Sequence, residues 1–379
     1  MLSCDFFYGA LKSHGVSFFT GVPDSLLKDI CAYITDNGDA ANHVIAANEG
    51  AAVALAAGVH LSTGELPLVY LQNSGLGNTV NPLTSLADPE VYAIPMLILV
   101  GWRGEPGVHD EPQHRKQGRI SPAMLDSLEV PWKVLPDEPN AAAEVLAEAV
   151  SVARSKSTPY ALLVKKGTFD AYKMRKTEQD AFVLRREEAV CKVLETLSPN
   201  DVVVSTTGMT SREVFEFRAR NKAGHARDFL TVGCMGHASQ IAMGIALRKA
   251  DRQVYCLDGD GAVLMHMGSL AVVGTSGLKN FKHIVINNGA HDSVGGQPTV
   301  GLKVDLPAVA KSSGYTWVKS ASQPDEISAL LAELQKTDGP ALLEIKVNRG
   351  ARKDLGRPTT TTLENKRDFM ANLGVQVAS

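Results

Sequence analysis

Twenty-five residues separate the triplet Gly259-Asp260-Gly261 from the pair Asn287-Asn288. Asp260 offers a hard anionic oxygen, and Asn287 or Asn288 a neutral amide oxygen. A Mg²⁺ ion takes few protein oxygens, in near-octahedral geometry, and completes its shell with substrate phosphates and water. The flanking glycines allow backbone N–H groups to approach a diphosphate closely. Either motif alone reads as a turn. Together, each behind an apolar run, they read as one metal–diphosphate site. A third candidate is Glu49 in Asn48-Glu49-Gly50-Ala51-Ala52. It follows an apolar run and precedes an apolar helix, where a buried carboxylate is costly unless it is used. A helix N-terminus favours Glu for its own reasons, so this position is ambiguous by itself.

These residues need elements that bring them together. Val254–Leu257 and Ile284–Ile286, just before the two loops, read as strands. In an open parallel sheet, ligands bind beyond the carboxyl ends of the strands, so both loops are expected at one edge. The rest of the chain repeats this pattern. Val16–Thr20, His43–Ala47, Leu66–Gln72, Met96–Val100 and Ala161–Val164 read as strands in the first half, with helices over Ser25–Ile34 and Gly50–Leu61. In the second half the strands are Val202–Ser205, Gln253–Leu257, His283–Asn287 and Leu342–Val347, and the helices Ala238–Leu247 and Ser269–Gly274. Apolar runs of this length alternating with helical segments predict buried parallel strands with crossover helices. The fold class is α/β, with two domains, each a largely parallel sheet flanked by helices. The expected division is a first domain over 1–165, a polar linker over 166–185, a second domain over 186–350 and an extended C-terminal arm over 351–379.

Composition narrows the function. The 379 residues are 44% hydrophobic and 21% charged, with a net charge of −3. No global basic field invites nucleic acid. The five cysteines, at 4, 31, 191, 234 and 256, show no CxxC spacing, which fits a reduced cytoplasmic setting. The most apolar stretch, Ile94 to Val100, is too short to span a bilayer, and no membrane is expected as a partner. A dinucleotide-binding reading of Gly75-Leu76-Gly77 lacks its third glycine. A metallohydrolase built on His109, Asp110, Glu111 and His114 lacks the spacing that puts two His on one helical face, and Pro106 and Pro112 argue for a loop.

With Gly259-Asp260-Gly261 and Asn287-Asn288 in this arrangement, the sequence resembles the thiamine-diphosphate-dependent decarboxylase family. Gly233-Cys234-Met235-Gly236 and Asn48-Glu49-Gly50 are similar to two further family motifs. The resemblance covers nearly the whole chain. It implies a pyrimidine-binding first domain and a diphosphate-binding second domain, with thiamine diphosphate and Mg²⁺ as cofactors. Asp260, Asn288 and the Ala290 carbonyl would hold the metal. Gly259, Gly261, Ala262, Thr207 and Gly208 would line the diphosphate. Met235 would wedge between the cofactor rings, and the Gly233 carbonyl would accept from the aminopyrimidine. Glu49 would bond the pyrimidine and activate the cofactor. A homodimer or higher homo-oligomer with active sites between subunits is implied as well.

Several local runs extend the resemblance to the members of that family that act on 2-oxo acids with an anionic tail. They are Thr20–Ser25, Gln72–Asn78, Gly101–His114 and Asn287–Pro298. The implied reaction is decarboxylation of 3-phosphonopyruvate to phosphonoacetaldehyde in phosphonate biosynthesis. Sulfopyruvate, giving sulfoacetaldehyde, is the alternative substrate, and a non-catalytic protein of the same fold a remote one. A phosphonate tail needs charge-assisted donors, best supplied by Arg. The expected loop from Arg103 to Arg119 offers Arg103, His109, His114, Arg115 and Lys116 for this, the C-terminal arm offers Arg349, Arg352, Lys353 and Arg357 as the other set, and Asn73 is a further substrate candidate. Asp24, Ser25, His109, His114 and His291 are the candidates for proton handling.

Overall fold

The computed structural model describes residues 1–176 and 181–376. The chain divides into two compact units, Met1–Glu178 and Gln179–Ser379.

The first unit holds six strands: β1 (Phe19–Gly21), β2 (His43–Ile45), β3 (Leu68–Gln72), β4 (Met96–Gly101), β5 (Trp132–Val134) and β6 (Pro159–Val164). Their order is β2-β1-β3-β4-β6-β5, and every pairing is parallel. The central strands are apolar almost throughout because both faces are covered. Tyr70, Leu97, Leu99 and Leu162 point into one core, Val69, Leu71, Ile98 and Leu163 into the other. That two-residue alternation is the strand period, with helices closing both sides.

The second unit holds β7 (Val202–Ser205), β8 (Asp228–Leu230), β9 (Val254–Gly259), β10 (Phe281–Asn287), β11 (Trp317–Ala321) and β12 (Ala341–Lys346). Read from β8, the order is β8-β7-β9-β10-β12-β11, again all parallel. Adding six to each label of the first sheet reproduces it. In both sheets the chain reverses its direction of travel around the first strand, so each has a switch point, between β1 and β3 and between β7 and β9. Crevices for ligands open outside the carboxyl ends of strands at such points.

Three edge strands, β5, β8 and β11, escape the apolar pattern because each is short and partly exposed. β8 is held from outside by the helix Thr362–Asn372. Asn365 accepts from the Leu230 N–H at 3.1 Å and donates to the Asp228 carbonyl at 2.7 Å, which blunts a strand edge that would otherwise be open. Phe369 of the same helix packs into the second unit's core. The C-terminal stretch is therefore not an extended arm throughout. Its Thr361 and Glu364 form a reciprocal cap that starts a helix within it.

The expected linker is also more ordered than its polarity suggests. Phe169 is buried in the first core, and Tyr172, Arg175 and Lys176 bond to Asp36. Phe182 bonds to Asn348 in the second unit. Linker residues 177–180 lie outside the described residues. Among the described residues, no helix is long and apolar enough to cross a membrane.

Asp228 on β8 forms a buried bidentate pair with Arg218, at 2.9 and 3.0 Å. Removing one partner strands the other charge in the core. Asp228→Ala is expected to cost about 3–5 kcal/mol, read as a lower urea midpoint.

Candidate active site

In the first unit, the loops after β1, β3 and β4 and the helix after β2 meet at the carboxyl edge of the sheet. Glu49 opens the helix Glu49–Thr63, where Asn48 caps the first turn by accepting from the Ala51 N–H. Its buried carboxylate accepts from the Asn78 amide at 2.7 Å. A Cβ on Gly75 would stand 2.4 Å from Glu49 Oε1. The Gly75-Leu76-Gly77 run is thus a helical turn whose first glycine leaves room for that carboxylate.

Asp24 follows β1 and is fully buried. One carboxylate oxygen accepts from the Leu26 N–H at 2.8 Å, and the other has no hydrogen-bond partner. Burial pushes its pKa up, against the pull of backbone donors and of Arg103. Gly101 is required beside it, because a Cβ there would lie 2.1 Å from Asp24 Oδ2.

Arg103 is held on three sides. Its guanidinium grips Asp110 in a fork at 2.8 and 2.5 Å and donates to Ser25 Oγ at 2.6 Å. Asn73, a candidate for substrate contact, instead braces this arginine. It is fully buried, donates to the Arg103 carbonyl and Ser121 Oγ, and accepts from the Arg103 N–H.

The expected loop from 103 to 119 ends at Pro112, which opens the helix Pro112–Ser127 as its first residue. A proline suits that position, since the N–H it lacks would have no helical partner there. Arg115 and Lys116 consequently stand exposed on a helix, outside the Arg103 cluster. His109 is exposed in the loop. His114 is buried in the helix's first turn, with Nδ1 unpartnered and its pKa lowered to about 4 by burial and then by Arg103.

In the second unit, Asp260 and Asn288 follow the adjacent strands β9 and β10 and are brought together. The Asn288 backbone N–H donates to the Asp260 carboxylate, as do those of Asp260 and Gly261, and Thr299 donates its hydroxyl. Burial still dominates and raises Asp260 to about 6. Asn287 is wholly committed within the chain. It donates to the Gly301 carbonyl and to Glu344, at 2.9 and 2.7 Å, and accepts from the Gly289 N–H. Asn288 turns its amide nitrogen to Asp292 at 2.7 Å, and its oxygen accepts only a 3.1 Å bond from the Ala290 N–H. Each of the two oxygens thus accepts one 3.1 Å backbone bond, and Asn287 has both of its amide hydrogens bonded as well.

The neighbouring loops close on the same edge. A Cβ on Gly261 would lie 3.1 Å from the His291 ring and 3.3 Å from Met235 Cε. Burial lowers the His291 pKa to about 4. Gly208, at φ +91, lies against Ser293 and places Thr207 beside the β10 loop. Gly233 and Met235 flank Cys234, which adopts φ +55. Ala262 is buried in the short helix Asp260–Met265, and open space surrounds Gly259 where a side chain would stand. The oxygens of Asp260, Asn288 and Ala290, with this open glycine, suit a Mg²⁺ ion carrying a diphosphate. Sequence reading missed Asp292, four residues after Asn288, and Thr299 and Asn78, which bond Asp260 and Glu49 from remote positions.

Residues 4–127 match the N-terminal TPP binding domain of thiamine pyrophosphate enzymes, and residues 206–345 match the C-terminal TPP binding domain. The chain is 37% identical to a phosphonopyruvate decarboxylase of Streptomyces viridochromogenes, covering 95% of this chain and 92% of the relative. It is 36% identical to one of Streptomyces hygroscopicus, over 97% and 93%. A sulfopyruvate decarboxylase of Methanosarcina acetivorans is 26% identical, over 80% of each. The chain belongs to the thiamine pyrophosphate enzymes, in the phosphonopyruvate decarboxylase family.

Proposed function

We propose that this chain decarboxylates 3-phosphonopyruvate to phosphonoacetaldehyde and CO₂, using thiamine diphosphate and Mg²⁺, in cytoplasmic phosphonate biosynthesis. The observation that carries the reading is the buried Asp260–Asn288 oxygen set, in a chain 37% identical over nearly its full length to a phosphonopyruvate decarboxylase. Identity to the sulfopyruvate enzyme is lower and covers less, which favours the phosphonate substrate.

Bound thiamine diphosphate supplies a nucleophilic carbon and a sink for the electrons left when CO₂ departs. Asp260, Asn288 and the Ala290 carbonyl hold its Mg²⁺. The backbone around Gly259, Gly261, Ala262, Thr207 and Gly208 receives the diphosphate. Met235 and the Gly233 carbonyl fix the rings. Glu49, kept in one orientation by Asn78 and Gly75, exchanges a proton with the pyrimidine.

The first unit's cluster handles the substrate. Arg103 has five N–H donors and gives three to Asp110 and Ser25, so two remain for phosphonate oxygens. Its fork is already oriented, so little side-chain freedom is lost on binding. Asp24 keeps a proton to a higher pH than an ordinary carboxylate, and its unpartnered oxygen is the proton donor to the reacting carbon. His114 and His291 are neutral near pH 7 and act as hydrogen-bond partners rather than cations. Each unit alone carries half of this machinery. The working form is a homodimer or larger homo-oligomer with its active sites between subunits.

Three measurements test the reading. CO₂ release is expected from phosphonopyruvate, with kcat/KM at least about tenfold above sulfopyruvate and pyruvate; equal or higher release from sulfopyruvate would reverse the substrate assignment. Glu49→Gln is expected to lower kcat by roughly 10²–10⁴ while cofactor affinity stays within a few-fold, and parent-like turnover removes the proposed proton transfer.

The third measurement is pH-dependent. Asp260 must lose its proton to bind a cation, so Mg²⁺ affinity is expected to fall as pH drops below about 6 and to level off above it. In the ligand-free chain the sign is opposite. An acid raised from 3.8 to about 6 binds its proton more tightly when folded, so stability falls as pH rises through that window. Asp260→Asn should flatten that fall in pH-dependent unfolding curves.

A further inference from the structure

Asn288 can serve a cation only through its side-chain oxygen. Its amide group is nearly symmetric in shape, and a half-turn would present the NH₂ to the cation instead. The structure contains a specific obstacle to that half-turn. Asp292 Oδ2 accepts from Asn288 Nδ2 at 2.7 Å. A carboxylate accepts but cannot donate, so only the amide nitrogen can face it favourably. Turned the other way, the amide oxygen would meet a carboxylate oxygen, and the NH₂ would meet the Ala290 N–H now bonded to the oxygen.

Asp292 is itself fixed. The same oxygen accepts from Arg186 Nη1 at 2.7 Å and from the Gly350 N–H at 2.9 Å. Arg186 is buried and donates through Nε to both oxygens of Glu213, at 3.1 and 3.0 Å. The helix Arg186–Thr196 supplies Arg186, the helix Met209–Arg220 supplies Glu213, and residue 350 lies beyond β12. Two distant segments thus bond one side chain beside Asn288, and a third seats the arginine that reaches it.

We propose that Asp292 is a positioning residue that locks the Asn288 amide with its oxygen toward the cation, and that Arg186, seated by Glu213, holds Asp292 in place. This rests on the reading of Asn288 as a Mg²⁺ ligand. Asp292 does not touch the metal. It acts through Asn288, as groups behind metal ligands do when they orient them.

The test is Asp292→Asn in the full-length chain, with Mg²⁺ affinity measured by titration calorimetry at saturating thiamine diphosphate. Asparagine keeps the volume but can present either an acceptor or a donor, so the lock is released. Affinity is expected to fall by about 10–100-fold. The melting temperature of the ligand-free protein should stay within a few degrees of the parent's, and kcat should return to the parent level at saturating Mg²⁺. A side chain with a merely structural role would lower the melting temperature and would not be rescued by Mg²⁺. Asp292→Ser repeats the test should the first variant prove insoluble.

Unchanged Mg²⁺ affinity in whichever variant folds, or turnover that excess Mg²⁺ does not restore, overturns the proposal. The parent chain separates this from the broader reading. If the parent shows no Mg²⁺ binding with thiamine diphosphate present, the assigned metal site fails; if the parent binds and the variant binds equally, only the lock fails.

Discussion

The structure is organised around a carboxylate kept from water without a cationic side chain beside it. Two other buried acids of the second unit are matched by arginine: Asp228 by Arg218, Glu213 by Arg186. Asp260 has only backbone N–H groups and a threonine hydroxyl, and its pKa rises to about 6. A buried ionisable group without a counter-charge is costly in a folded protein. Such a cost persists where a ligand offsets it, and in the proposed function a divalent cation would offset this one. The surrounding design follows from that need. Asn287 ties the end of β10 to Gly301 and Glu344, Asn288 adds a second oxygen, and Gly259 before Asp260 faces open space.

The two sheets share one strand order, yet their carboxyl edges bear different chemistry. The first presents a carboxylate on a helix N-terminus, a buried aspartate and a braced arginine. The second presents metal-capable oxygens and glycine turns. Topology supplies the same thing to both, a switch point with loops converging outside it. The loops decide what each edge does, since residues there can change without disturbing the cores beneath. A thiamine enzyme needs both a grip on the diphosphate and a proton partner for the pyrimidine, and each edge answers one requirement.

Much of the fold was legible because central parallel strands are buried on both faces. Leu66–Gln72, Met96–Val100, Val202–Ser205, Gln253–Leu257 and His283–Asn287 are apolar runs that coincide with β3, β4, β7, β9 and β10 to within a residue or two. The edge strands were not legible. Asp228–Leu230 and Trp317–Ala321 face solvent or a covering helix on one side and lack any such run. The site divides in the same way. Asp260, Asn288 and Glu49 announce themselves because scarce residue types stand at strand ends. Choosing between Asn287 and Asn288 requires knowing that Gly301 and Glu344 reach the first, and nothing local says so. Asn73 reads as a ligand because it is polar at a strand end, and only the fold shows that its side chain bonds Arg103 and Ser121.

Asp24 and Asp260 show how one physical effect yields two roles. Burial raises both, and backbone N–H groups moderate both. Their surroundings then diverge. Asp260 stands next to the Asn288 loop and to Gly259, which faces open space, and in the proposed function a cation would favour its ionised form. Asp24 is closed in by Gly101 and has an unpartnered oxygen, with the nearby Arg103 already engaged by Asp110. Burial of Asp24 favours its protonated form. An acid that keeps its proton because the pocket is closed can also release it when a carbon beside it becomes basic. The same desolvation thus raises both aspartates, and in the proposed function one would serve a cation and the other would hold a proton.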